Sequence, residues 1–310
     1  MASIVSISRR TDIPAFYSEW FINRVQAGYC MYQPPMSRAK MVSLALEDVL
    51  AFVFWSRNYV AMIDKGYLVQ LKQTGYDFFM HFTIVSYPPL LDPHVISLER
   101  AVDQFRFLSE TFGKNTLCWR FDPIVVSSAN TLDERLETFQ KLVKLLGGYT
   151  NRCIISIMDV YKKTHQNMAK LGIECYDPIN DVGPVSWKDL KHALKQMVSI
   201  ANGAGIQIYT CCERKIRDDA ELNIKQGHCI DRTWISEIIQ DPHKREQVLD
   251  LPRDFGQRKE FDCGCFKSVD IGVYDTCPHG CTYCYANENK ELAMKRYTSH
   301  NPSGEMIVKS

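Results

Sequence analysis

A chain of 310 residues, 45% of them hydrophobic, can bury a core the size of one large α/β domain or two ordinary ones. Its 37 Lys and Arg against 36 Asp and Glu leave a net charge of +1, which excludes a broad basic field for nucleic acid and an acidic solvating tail. No run of about 18 apolar residues exists to span a bilayer. The opening MASIVSISRR is too short and mixed for a signal peptide, so a cytoplasmic protein without membrane attachment is expected.

Taken in chain order, short β-branched or aromatic runs alternate with longer helical patterns. Strands are predicted at Ser3–Ser8, Ala51–Trp55 and Met80–Val85. Leu98, Val102, Phe105 and Phe112 then mark a helical stripe, followed by a strand at Leu117–Phe121. A second stripe, Leu132, Leu136, Phe139, Val143 and Leu146, is opened by the capping-box pattern Thr131-x-x-Glu134 and closed by Gly147-Gly148. After a strand at Cys153–Met158, a third stripe of Leu190, Leu194, Met197 and Ala201 starts beyond Ser186 and stops near Gly203. Strands at Ile206–Thr210 and Val269–Tyr274 complete the series. Repeated strand–helix–strand units predict an α/β fold with a parallel sheet. About seven units and no glycine-rich phosphate loop after the first strand point to a complete or partial (β/α) barrel rather than a doubly wound sheet. The expectation is one barrel-like domain over residues 1–310, with residues 254–290 forming a cysteine-rich lid and cluster loop within it.

Each apolar run ends in polar or reactive side chains: Ser8-Arg9-Arg10-Thr11-Asp12, Ser56-Arg57-Asn58, Arg120-Phe121-Asp122, Asp159, Cys212-Glu213 and Asp275-Thr276-Cys277. A barrel gathers its site at the carboxyl ends of its strands, so these groups are predicted to share one mouth. Taken singly, each could simply begin a loop. Arg120, Asp122 and Glu213 are the candidate catalytic residues, for substrate binding or proton handling. Arg9, Arg10 and Asp12 are candidates for the cofactor, with an arginine fork for a carboxylate and Asp12 as acceptor for an ammonium.

Twelve cysteines are many for a reducing compartment, where clustered cysteines point to metal or redox chemistry rather than disulfides. Cys30, Cys118, Cys153 and Cys175 are scattered in apolar surroundings and read as packing. The other eight lie between Cys211 and Cys284. Cys277, Cys281 and Cys284 have C-x3-C-x2-C spacing on one tight loop after a predicted strand. Such a loop can hold three irons of a 4Fe–4S cubane and leave the fourth for an outside ligand. The amino and carboxylate groups of S-adenosylmethionine can chelate that iron, and one electron then releases a 5′-deoxyadenosyl radical. Tyr283 can present a face or backbone edge to adenine. A zinc site using His279 as fourth ligand, or free thiols, are the competing readings.

The loop CPHGCTYCYA resembles the radical S-adenosylmethionine superfamily loop, closely in the form found in spore photoproduct lyase. More of the chain resembles domain-of-unknown-function family 1848. The likeness rests on SISRRTDIPAFY, VFWSRN, WRFDPI, CCERK, GHCIDR and the stretch from FDCGCFKSVDIG to CYAN, spanning residue 6 to about 287. VFWSRNY departs from the Lys-Asn-Pro ending common in that family, with Arg57 in place of the lysine. The resemblance implies a radical S-adenosylmethionine barrel, oxygen-sensitive and served by a flavodoxin- or ferredoxin-like electron donor. Such enzymes usually carry the cysteine loop after the first strand. Here it follows the last, so a circular permutation is expected, with Val269–Tyr274 in the usual first position.

Cys212, Cys229, Cys263 and Cys265 are read as a second metal set, an auxiliary 4Fe–4S cluster or zinc, against buried thiols with a chance CGC. Adjacent Cys211 and Cys212 point opposite ways if extended, and Cys212 is chosen beside Glu213. The segment RDFGQRKEFDCGC is expected to cross the barrel mouth as a lid stapled by the metal. The functional expectation is a radical enzyme acting on a small molecule or peptide. The alternatives are a DNA-lesion repair lyase, which the near-neutral charge disfavours, and a non-catalytic iron–sulfur or zinc protein.

Overall fold

The computed structural model describes residues 2–34, 37–254 and 263–308. Among these residues ten strands form: β1 (Ser3–Ile7), β2 (Tyr29–Tyr32), β3 (Lys40–Ser43), β4 (Val49–Ser56), β5 (Phe78–Thr83), β6 (Leu117–Ile124), β7 (Arg152–Ile157), β8 (Gln207–Thr210), β9 (Lys225–Gln226) and β10 (Ser268–Asp270). Eight of them make one sheet in the order β10-β1-β4-β5-β6-β7-β8-β9, and every pair in it is parallel. β2 and β3 form a separate antiparallel hairpin. The α/β fold with a parallel sheet is as expected, and no strand pairing joins β9 to β10 among the described residues. The last strand in sequence is therefore the first in space, beside β1.

Period-two alternation divides the sheet's side chains between two environments. Val5, Ile7, Phe52, Phe54, Phe78, Phe82, Trp119, Phe121 and Ile155 point to one face. The helices Leu98–Phe112, Leu132–Leu146 and Trp187–Gly203 cover that face with Phe105, Phe139, Leu190 and Leu194. Fully burying each such side chain contributes about 1.5–3 kcal/mol. Two of these helices open with complete capping boxes, Thr131 with Glu134 and Ser186 with Asp189. Ile4, Val53, Phe79, Cys118 and Ile154 point to the other face, where the helices Arg232–Ile238 and Pro242–Leu249 add Trp234, Ile235 and Val248. Along that face the side chains turn polar toward the strands' carboxyl ends: Ser6 then Ser8, His81 then Thr83, Arg120 then Asp122. A smaller apolar cluster thus sits under the amino-terminal half of this face, and the site sits over the other half.

Candidate functional site

β1 and β10 build the frame. Asp270 accepts from Ser6 Oγ and Ser8 Oγ, both at 2.7 Å, from Arg9 N at 2.9 Å and from Gly272 N at 3.0 Å. Beyond the strands, Thr11 Oγ1 donates to Val273 O at 2.7 Å and Tyr17 OH to Thr276 O at 2.7 Å. The Ser8–Asp12 turn thus templates the start of the cysteine loop. Asp12 also caps the helix Ile13–Phe16. It accepts from Ser56 Oγ at 2.6 Å and Arg57 N at 2.9 Å, and His279 Nε2 lies 2.7 Å from its Oδ2. Asp12 is therefore an anchor of the loop, with both oxygens occupied, rather than an acceptor open to a ligand ammonium. The second ring nitrogen of His279 faces His94 O at 3.3 Å. Neither nitrogen is directed at a metal.

Cys277, Cys281 and Cys284 all line one cavity of about 320 Å³. Burial pushes the Cys277 thiol up to about 12 and also raises Cys281 and Cys284. Held this way they are poor thiolates until a cation offsets the desolvation, as metal ligation does. Donors already face these sulfurs. Ala286 N lies 3.3 Å from Cys284 Sγ, and Arg57 Nη1 lies 3.1 Å from Cys281 Sγ. Arg57 is bound to Asp92 by two hydrogen bonds and donates to Tyr283 OH at 2.8 Å; that hydroxyl contacts Asp92 at 2.9 Å. Tyr283 lines the cavity, with its hydroxyl committed to this cluster and its ring edge-on to Tyr87.

Arg9, Arg10, Arg120 and Asp122 line the same cavity. The Arg9 Nε sits 3.5 Å from Asp270, and its guanidinium lies over Trp55. Arg10 reaches Gly272 O at 3.3 Å and stacks over Tyr274. Arg120 Nε donates to Asp122 Oδ2 at 2.8 Å, and Ser156 Oγ donates to Asp122 Oδ1. Glu213 is not among the lining residues. Its carboxylate accepts from Ile157 N at 3.2 Å, because Cys212 and Glu213 turn away from the strand line into the short helix Arg214–Arg217.

The second cysteine group lines the far side of the same cavity. Cys211, Cys229 and Cys265 carry sulfurs that all lie within 4.8 Å of one another, a group that could hold a metal. Cys212 Sγ is 3.6 Å from Cys211 Sγ, and Cys263 contacts Cys212 and Cys265. The expectation that neighbouring Cys211 and Cys212 diverge does not hold. Cys212 has φ of +64°, so the pair is not extended, and Cys211 rather than Cys212 belongs to the compact group. Arg120 Nη1 faces Cys229 Sγ at 3.4 Å. Burial, with the Arg120 cation adding to it, pushes the His81 imidazole down to about 3. Neutral His81 then donates through Nε2 to Cys229 O at 2.8 Å and fixes that turn. The proposed lid runs through residues 255–262, which lie outside the described residues. Sequence reading missed Asp92 and His81: an aspartate in a proline-rich loop and a histidine inside an apolar strand carry no local signal.

No described helix is long and apolar enough to cross a membrane. A search of curated proteins finds no match. Two D-hydantoinase structures from Bacillus sp. AR9 are similar at 13% and 12% identity, with TM-scores of 0.33 and 0.30, over 73% and 76% of this chain. The alignments cover 45% and 44% of those chains, so this chain spans under half their length. Likeness at that level carries no argument about fold or function. The family model for a domain of unknown function, DUF1848, matches residues 4–286, which include both cysteine groups and the frame that holds them. The chain belongs to the DUF1848 family.

Proposed function

We propose that this protein is a radical S-adenosylmethionine enzyme whose 4Fe–4S cluster is held by Cys277, Cys281 and Cys284. The observation that carries this reading is a single loop whose three cysteines all line the cavity at the strands' carboxyl ends, while the histidine among them is committed to Asp12 and His94. Three thiolates leave one iron of a cubane without a protein ligand. When bound, the cluster and S-adenosylmethionine supply one-electron cleavage of a sulfonium C–S bond and hence a 5′-deoxyadenosyl radical.

The chain's own residues bind and orient. Arg9, held loosely by Asp270 and Trp55, is the cavity cation suited to a carboxylate. Arg10, tied to Gly272 O, fixes the turn that approaches the cofactor. Arg57 places positive charge on Cys281 and is itself locked by Asp92 and Tyr283. Asp122 has both oxygens filled by Arg120 and Ser156, so this pair orients substrate rather than moving a proton. The substrate class is a small molecule or peptide, and the electron comes from a flavodoxin- or ferredoxin-like donor. A net charge of +1 disfavours a nucleic-acid duplex.

The test is anaerobic reconstitution with iron and sulfide, followed by S-adenosylmethionine and dithionite. Wild type is expected to bind a cluster on this loop and release 5′-deoxyadenosine, and the Cys277→Ala/Cys281→Ala/Cys284→Ala variant to do neither. A wild-type protein that yields no 5′-deoxyadenosine, or a triple variant that loses no iron, overturns the reading.

A further inference from the structure

The eight strands form one sheet whose two edge strands, β9 and β10, do not pair among the described residues. The seam between them is where the second cysteine group lies. Cys211 directly follows β8, Cys229 comes three residues after β9, and Cys265 comes three before β10. Across the seam Phe266 N donates to Ile230 O at 3.1 Å, and Ile230 N faces Cys265 Sγ at 3.5 Å. The approach is close enough that a Cβ on Gly264 would overlap the His228 ring.

The sulfur spacing decides which kind of metal fits. Thiolates at about 2.3 Å from one tetrahedral ion sit about 3.8 Å from each other. Cys211 and Cys229 are 3.8 Å apart, and the three sulfurs all fall within 4.8 Å. In a cubane each cysteine takes a different iron, which spreads the sulfurs well beyond that spacing. We infer that Cys211, Cys229 and Cys265 hold one zinc ion that closes the barrel seam by joining the ends of β8 and β9 to the start of β10. The fourth thiolate comes from a flanking neighbour, Cys212 beside Cys211 or Cys263 beside Cys265. Zinc is redox-inert, so this set is a structural closure, distinct in chemistry from the Cys277 loop, and it does not rest on the reading of that loop.

The experiment uses the full-length Cys277→Ala/Cys281→Ala/Cys284→Ala chain, so that iron on the first loop cannot contribute. Titrated with cobalt(II), it is expected to bind one ion per chain, with thiolate charge-transfer absorption and the intense visible bands of a tetrahedral site, all reversed by zinc. Cys211→Ser, Cys229→Ser and Cys265→Ser are each expected to abolish those bands, whereas Cys30→Ser leaves them. Stripping zinc from wild type is expected to lower the melting temperature by about 5 °C or more. If the triple variant does not fold, zinc per chain in wild type against Cys229→Ser replaces it, with a loss of one ion expected. Weak octahedral cobalt spectra, iron and sulfide bound at this set, or unchanged zinc in Cys229→Ser would each overturn the assignment.

Discussion

Arg57 Nη1 lies 3.1 Å from Cys281 Sγ, while the same guanidinium grips Asp92 through hydrogen bonds of 2.7 and 2.6 Å. A cation donating to a thiolate favours the more negative, reduced state of a cluster on that loop. Arg57→Gln is expected to make its reduction potential more negative. It should also cost about 3 kcal/mol, because Asp92, with a side chain 2% exposed, loses its counter-charge. Arg57→Lys keeps the charge without the two-pronged fork and should fall between. Redox titration of the reconstituted variants checks this, and identical potentials in all three proteins would sink it.

Asp270 joins β10 to the β1 segment through three donors, Ser6 Oγ, Ser8 Oγ and Arg9 N. Burial alone would raise its carboxyl, but Arg9, Arg10 and the donors from Arg9 N and Ser8 outweigh it and hold the group below its ordinary value. A depressed carboxylate contributes stability that is full above the unfolded aspartate value and lost as pH falls through the lower folded one. Asp270→Asn is expected to lose about 3 kcal/mol at neutral pH. It should also show a shallower decline in stability with acid than wild type. Urea unfolding from neutral to strongly acidic pH measures both, and parallel acid limbs count against the assignment.

Gly272 stands where no side chain fits. A Cβ there would collide with Ser8 Oγ and lie 2.6 Å from Ser8 Cβ. Gly272→Ala is expected to destabilise by about 2 kcal/mol through overpacking. Ser8→Gly in the same chain removes the obstructing atoms, so the double variant should be less destabilised than the two single losses added together. Strict additivity in thermal melts refutes the contact.

His279 is the pin of the cysteine loop. Its Nε2 meets Asp12, and its ring packs edge-on against Phe16 at 4.7 Å between centroids. His279→Ala should lower iron retention several-fold after reconstitution, whereas His279→Gln, which keeps a donor toward Asp12, recovers most of it. If Gln retains no more iron than Ala, the histidine acts as a ligand rather than an anchor.

Much of the sheet was readable because each main strand is buried on both faces and reads as a run of apolar residues, as in Val49–Ser56 and Phe78–Thr83. β9 was missed: Lys225–Gln226 is two polar residues long, and only the neighbouring strand makes it extended. The β2–β3 hairpin was missed as well, since Tyr29–Tyr32 and Lys40–Ser43 are four-residue pieces without sustained alternation. The loop cysteines stood out by spacing. The choice between Cys211 and Cys212 turned on one left-handed backbone angle at a cysteine, a conformation that no residue type there announces. Arg120 and Asp122 were legible as two positions on one strand face, whereas Glu213 lay beyond the end of β8, where period two no longer applies.

The position of β10 next to β1 has a consequence for biosynthesis. Ser6 and Asp270 are 264 residues apart in sequence. At translation speeds of about 5–20 residues per second, β1 emerges tens of seconds before its partner. Until then Ser6 and Ser8 have no Asp270, and the Ser8–Asp12 turn has no cysteine loop to template. The Cys277, Cys281 and Cys284 thiols thus leave the ribosome only after β10, the strand that completes this frame. A truncated chain presents no assembled Cys277–Cys284 site, so any cofactor acquired there enters only a protein whose sheet has already been synthesised.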